Sequence, residues 1–194
     1  MLKKEIKKNA EILKALNNAY IDDYKHIIDK DKRESRERLK PGEVAPAHNG
    51  IILAENKELL KTIQIELKNK AYNILNDIKA QIDKEKTKAP SNEAIQYIDL
   101  LRKRTSINRD DIDLALKTYG DNYQVDKAVL DIATENEIDI NGIGVFEDIV
   151  ANETNSLFYS YAGIIGHENN FNDLGVESVI SSLNQEVDAL SIIE

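Results

Sequence analysis

There is no cysteine anywhere in the 194 residues. That excludes a disulfide framework, a thiolate nucleophile and any Cys-based zinc site, and the chain has no need of an oxidising compartment. Tryptophan is absent and aromatic residues make up only 6%, so a core has to come from Ile, Leu, Val and Ala, which suits helices packed on helices. No stretch approaches the run of about 18 apolar residues that a membrane span requires. The start, Met1 to Lys8, is basic, yet Glu11, Lys14 and Asn17 interrupt the apolar positions behind it, so a signal peptide is not expected. These absences predict a cytoplasmic location, or a particle assembled in the cytoplasm, and no membrane partner.

Catalytic signatures are missing too. The chain has no glycine-rich phosphate loop, no dinucleotide fingerprint, no nucleophile elbow and no HExxH. His26, His48 and His167 fall on a helix, in a linker and in a loop, and none has a second His at metal-ligand spacing. The expectation is a non-enzyme, with no catalytic residue, no cofactor and no metal ligand assigned. Lys30 to Lys40 and Arg102 to Arg104 are basic, but the first run is interleaved with acids, the second is short, and the pI of about 5.0 opposes affinity built on phosphate neutralisation. Direct sequence-specific binding of nucleic acid is not expected.

What the chain does have is charge, unevenly placed. Residues 1–104 carry 23 Lys and Arg against 17 Asp and Glu, whereas residues 105–194 carry 3 against 18. Lys127 is the last Lys or Arg, and the 67 residues after it hold 13 carboxylates. Opposite charge in two halves of one chain has two uses: the halves dock on each other, or they direct contacts with other copies or partners.

Apolar spacing predicts an all-α protein. Ile6, Leu13, Leu16, Tyr20, Tyr24 and Ile27 recur at helical spacing over residues 3–39, with the charged stretch from Asp29 to Lys40 expected to be solvated. Pro41-Gly42 breaks this helix. Leu60, Ile63, Leu67, Ala71, Ile74, Ile78 and Ile82 hold one face of a second helix over residues 55–88, widened by Leu59, Ile65, Tyr72 and Leu75. The two make a long antiparallel hairpin of about 45 Å, from the rise of 1.5 Å per residue, whose stripes need cover from this chain or another copy. Short helices follow: 92–104 with Ile95, Ile98, Leu100 and Leu101 inward; one capped by Ser106-Ile107-Asn108, with Asp110 and Asp111 in its first turn, running through Leu114 and Leu116 to Tyr119 and stopped at Gly120; and one capped at Asp121 or Asn122. Glycines then break the chain into helices over 145–161 and 176–190, joined by an Asn-rich loop from Gly163 to Gly175. The expected divisions are 1–89, a basic hairpin; 90–136, a three-helix unit; and 137–194, an acidic helical C-terminal region.

Two short strings resemble known families. The stretch ALKTYGDNYQVDKAVLDIA, from Ala115 to Ala133, resembles the last two helices of ubiquitin-associated domains, which implies a compact three-helix packing unit over residues 92–136. Arg104-Thr105-Ser106-Ile107 stands where such domains carry a Met-Gly-Phe-type loop, so ubiquitin binding does not carry over. Glu137 to Asp148 resembles an EF-hand calcium loop, with oxygen-bearing Glu137, Asp139 and Asn141 at the first, third and fifth places, Gly142 at the sixth and Asp148 at the twelfth. It departs in having Glu first, Gly144 eighth and the shorter Asp last, and a Gly-containing helix connection is the plainer expectation.

In organisation, the Lys/Glu/Ile-rich hairpin followed by a short-helix module resembles the small helical scaffold or inner-core proteins of tailed bacteriophages. That resemblance implies a non-enzymatic structural or assembly protein of a virion, with protein partners and a homo-oligomer or larger assembly built by helix packing and charge complementarity. The alternative expectation is an acidic helical module that binds or regulates a host protein. Calcium binding is a minor third.

Overall fold

A computed structural model describes residues 2–37, 54–141, 143–166 and 173–192. They form seven helices and no strand: α1 (Leu2–Glu37), α2 (Ala54–Lys86), α3 (Asn92–Arg102), α4 (Arg109–Tyr119), α5 (Tyr123–Glu135), α6 (Phe146–Gly166) and α7 (Asp173–Ile192). The fold is all-α, as expected from the apolar spacing. Two compact units divide it. One holds Lys3–Ile78 and Glu153–Ile192, the other Lys79–Asn152. The acidic C-terminal helices therefore share a unit with the basic N-terminal pair.

In the first unit the buried positions of α1 are Ile6, Ala10, Leu13, Asn17, Tyr20, Tyr24, Ile27, Ile28 and Asp31. From Ile6 to Ile27 the steps alternate between four and three and make a heptad seam, the pattern of helices that wind around neighbours with knobs in holes. Thr154, Leu157, Tyr161 and Ile164 of α6 and Val176, Ile180, Leu183, Val187 and Leu190 of α7 keep the same alternation. From α2 come Asn56, Leu60, Gln64, Leu67, Ala71, Leu75 and Ile78.

The register between these helices is written in their polar contacts. Along α1 and α7, Lys14 pairs with Asp188, Asn17 with Asn184 and Lys25 with Glu177, so the two run antiparallel. Asn56 near the start of α2 donates to Asp31 (3.0 Å) and Glu34 (2.9 Å) near the end of α1, while Gln64 lies beside Tyr20. The hairpin of α1 and α2 is therefore antiparallel as well. α6 joins through Tyr161 to Asn17, Ser160 to Glu186 and the Phe158 carbonyl to Tyr72. The cover that the long stripes require is supplied by α6 and α7 of the same chain. Burying each Leu- or Ile-sized side chain along the seam contributes about 1.5–3 kcal/mol.

Three expectations change in this unit. The end of α1 is not simply solvated, because Asp31 is fully buried and bound to Asn56. The seam uses Asn17 and Gln64 where the apolar pattern points to Leu16 and Ile63, and Leu75, expected only to widen the face of α2, takes the buried place expected for Ile74. Finally, α6 does not stop before Gly163 but continues to Gly166, and α7 begins at Asp173, ahead of Gly175. A Cβ at Gly163 would meet nothing within 4 Å, so that glycine faces open space, where it costs a helix only about 1 kcal/mol relative to Ala.

The second unit carries α3, α4 and α5, and here the local chemistry is explicit. Ser91 caps α3 by accepting from the Ala94 N–H (3.1 Å). Asn108 and Asp111 form a reciprocal capping box at the start of α4. Gly120 ends α4, and Asn122 caps α5. Ala94, Ile98, Leu101, Ile112, Ala115, Val125, Val129, Ile132 and Ala133 form one core. Ile95 and Leu100, expected inward, are exposed instead.

Candidate functional site

Three places in the molecule depart from the simple rule of apolar side chains inside and polar ones outside. The first is a layer across the four-helix unit. Asn17 is fully buried; its side-chain amide donates to Asn184 (2.8 Å), and its carbonyl oxygen accepts from the Tyr161 hydroxyl (2.9 Å). Asn184 reaches on to Asn18 (3.4 Å). Burial pushes the Tyr161 hydroxyl well above the usual tyrosine range, against the hydrogen bond to Asn17, so it stays protonated and donates. A polar side chain at a seam position stabilises little by itself, but it penalises every register in which its partners are missing. This layer specifies alignment and offers no reactive group.

The second place lies in the other unit, where α2 ends and α5 and α6 begin. Lys86 and Lys127 both grip Asp148, each at 2.7 Å, and both ammonium groups lie near the Tyr123 ring, 5.0 and 5.9 Å from its centroid. Burial raises the Asp148 carboxyl, but the hydrogen bonds from Lys127 and Lys86 outweigh it and hold the group below the ordinary carboxylate range. The same bond raises Lys127. Asp126, one turn into α5, has the opposite environment. Burial first, then the Glu147 and Asp121 carboxylates, push it up to about 7. Its Oδ1 is buried without a hydrogen-bond partner. Gly120 makes room for it, since a Cβ there would lie 3.1 Å from that oxygen and inside contact distance of the Leu116 carbonyl.

The calcium-loop residues are drawn into other work. Glu137 has φ 56° and ends α5 as the left-handed residue behind the Asn136 cap, with the Ile138 N–H bonded to the Ala133 carbonyl (2.9 Å). Asp139 uses its carboxylate to accept from the Asn141 N–H (2.9 Å), and its carbonyl accepts from Arg109. Asp148 belongs to the two lysines. Gly142 lies outside the described residues. Among the described residues no three His, Asp or Glu side chains are grouped to hold a metal ion. His26 is exposed on α1, and His48 and His167 lie outside the described residues. No helix among the described residues is long and apolar enough to cross a membrane.

The third place is a surface. In the second unit Leu100 is 63% exposed on α3 and Leu114 54% exposed on α4, although the core of that unit is complete without them. A single exposed leucine is ordinary on a protein surface, but apolar side chains that gather on one face mark contacts with other proteins. Comparison with known proteins finds no matching family model, no matching curated protein and no matching solved structure.

Proposed function

We propose that the chain is a non-enzymatic assembly protein that works through its outer helical surfaces. The observation that carries this reading is the pair of exposed leucines, Leu100 and Leu114, on a three-helix unit whose core is already closed. The route differs from the one the apolar stripes suggest. The seams of α1 and α2 are covered by α6 and α7 of the same chain, and part of the opposite charge of the two halves is used internally, as in Lys14 to Asp188 and Lys25 to Glu177. Contacts with other molecules are therefore left to surface faces. A virion scaffold or inner-core role, the setting implied by the likeness to tailed-phage proteins, is part of this proposal.

A second reading, an acidic module that captures a basic protein, is favoured by one feature: Asp131, Glu135, Glu137 and Asp139 are all exposed at the end of α5 and just beyond it. Light scattering on the eluting full chain separates the two. The assembly reading expects a mass that rises above the 21.9 kDa of a single chain as concentration increases. A particle fixed at the single-chain mass in low and high salt contradicts it and leaves the acidic-module reading.

A further inference from the structure

The geometry points to the outer face shared by α3 and α4 as a self-pairing surface, its occupant the same face of a second copy of this chain. This inference rests on the assembly reading and gives it a place. The Tyr97 and Tyr119 rings sit 5.1 Å apart, and Arg104 pairs with Asp111, so the end of α3 meets the start of α4 and the two helices run antiparallel. Leu100 lies between Tyr97 and Arg104 on the turns of α3 that face α4. Leu114 lies one turn beyond Asp111 on α4. Both lie on the side of their helices away from Ile98, Leu101, Ile112 and Ala115, which fill the core.

The charges around this face say what fits it. Leu114 has Asp110 one turn before it and Lys117 one turn after it, all three exposed. When α4 meets α4 of a second copy antiparallel about a two-fold axis through Leu114, Asp110 of each copy faces Lys117 of the other, and the leucines meet in the middle. On α3, Glu93 lies toward one end and Lys103 toward the other. The chain as a whole has a net charge of −9, so two copies repel over most of their surface. This face is nearly neutral and mixes both signs, which suits a partner with the same pattern better than one that is strongly basic or strongly acidic. Two helices of 11 residues offer a face only about 16 Å long, so the pairing is of the weak, concentration-dependent class.

The test is sedimentation equilibrium on the full chain over a concentration series, with melting temperature as the check that each variant is folded. Wild type is expected to move from single-chain to two-chain mass. Asp110→Lys alone and Lys117→Asp alone each place like charges opposite one another twice, and each is expected to weaken association about tenfold or more. Mixed in equal amounts, the two variants restore both opposite-charge pairs, so the mixture is expected to recover the wild-type mass. The double substitution Leu100→Asp with Leu114→Asp is expected to stay at single-chain mass. Association of wild type that none of these changes affects overturns this surface while leaving the assembly reading standing. A wild type that stays at single-chain mass throughout overturns both.

Discussion

Replacing Asp126 by Asn tests the electrostatics of the second unit in a way that has a definite sign. Asp126 is held up to about 7 from its ordinary 3.8, chiefly by burial and then by Glu147 and Asp121. In the unfolded chain the carboxyl ionises near its ordinary value, whereas in the folded chain it keeps its proton until near neutrality. Its contribution is therefore fully present below about pH 4 and is lost progressively as pH rises to about 7, after which nothing more is lost. At 1.36 kcal/mol per pH unit the interval caps the loss at ~4 kcal/mol, and because the side chain is only partly buried the expected loss is about 1–2 kcal/mol. Asn imitates the protonated acid in size and neutrality and does not titrate. Urea unfolding of Asp126→Asn and wild type should give nearly equal stabilities at pH 4.5, and at pH 8 the variant should be about 1–2 kcal/mol more stable. Stabilities that differ by the same amount at both pH values would mean that the Asp126 carboxyl is not held up in the folded chain, because a mere packing effect of the amide does not follow the titration of the group it replaced.

Other residues carry further expectations. Asn17→Ala removes both bonds of a fully buried side chain and strands the Tyr161 hydroxyl and Asn184, so thermal or urea unfolding should show a loss of about 2–4 kcal/mol, while Tyr161→Phe should cost only about 1 kcal/mol. Glu137→Gly relieves the left-handed backbone behind α5 and should stabilise the chain by up to about 1 kcal/mol with no other change in its properties. Adding calcium should leave the melting temperature where it is, since Asp148 is already held by Lys86 and Lys127; a rise of several degrees would contradict the roles given to Glu137 and Asp148.

The fold was legible in the sequence wherever the physics is local. Ile6, Leu13, Tyr20 and Ile27 repeat every seven residues and announce α1. Asn108 followed by Asp110 and Asp111, Gly120, and Asn122 mark helix ends because a side-chain oxygen, a first-turn carboxylate and a residue without Cβ each act on the nearest turn of backbone. What stayed hidden depends on partners far along the chain. Asn17 reads as an interruption until Tyr161 and Asn184 are beside it, more than 140 residues away. Asp31 reads as part of a solvated charged run until Asn56 meets it. Gly163 reads as a break because glycine weakens a helix, yet a helix covered on its other face tolerates it. The exposed leucines illustrate the same limit from the opposite side: Leu100 stands next to Leu101 in sequence, and only the packing of α4 and α5 shows which of the two is core. The antiparallel match of α1 with α7 was foreshadowed only by opposite charge, which is compatible with pairing inside one chain or between two.

Whether α7 covers α1 of its own chain or of another copy can be measured directly. Since the chain has no cysteine, Lys25→Cys and Glu177→Cys, which replace the two members of an ion pair 2.6 Å apart, can be bridged with a short bismaleimide in dilute protein and the products separated by mass. The double variant is expected to be bridged within single chains, and a mixture of the two single variants is expected to give almost no bridged pairs. Efficient bridging between chains in that mixture would mean that α7 of one copy covers α1 of another, and the self-closed four-helix unit would have to be abandoned.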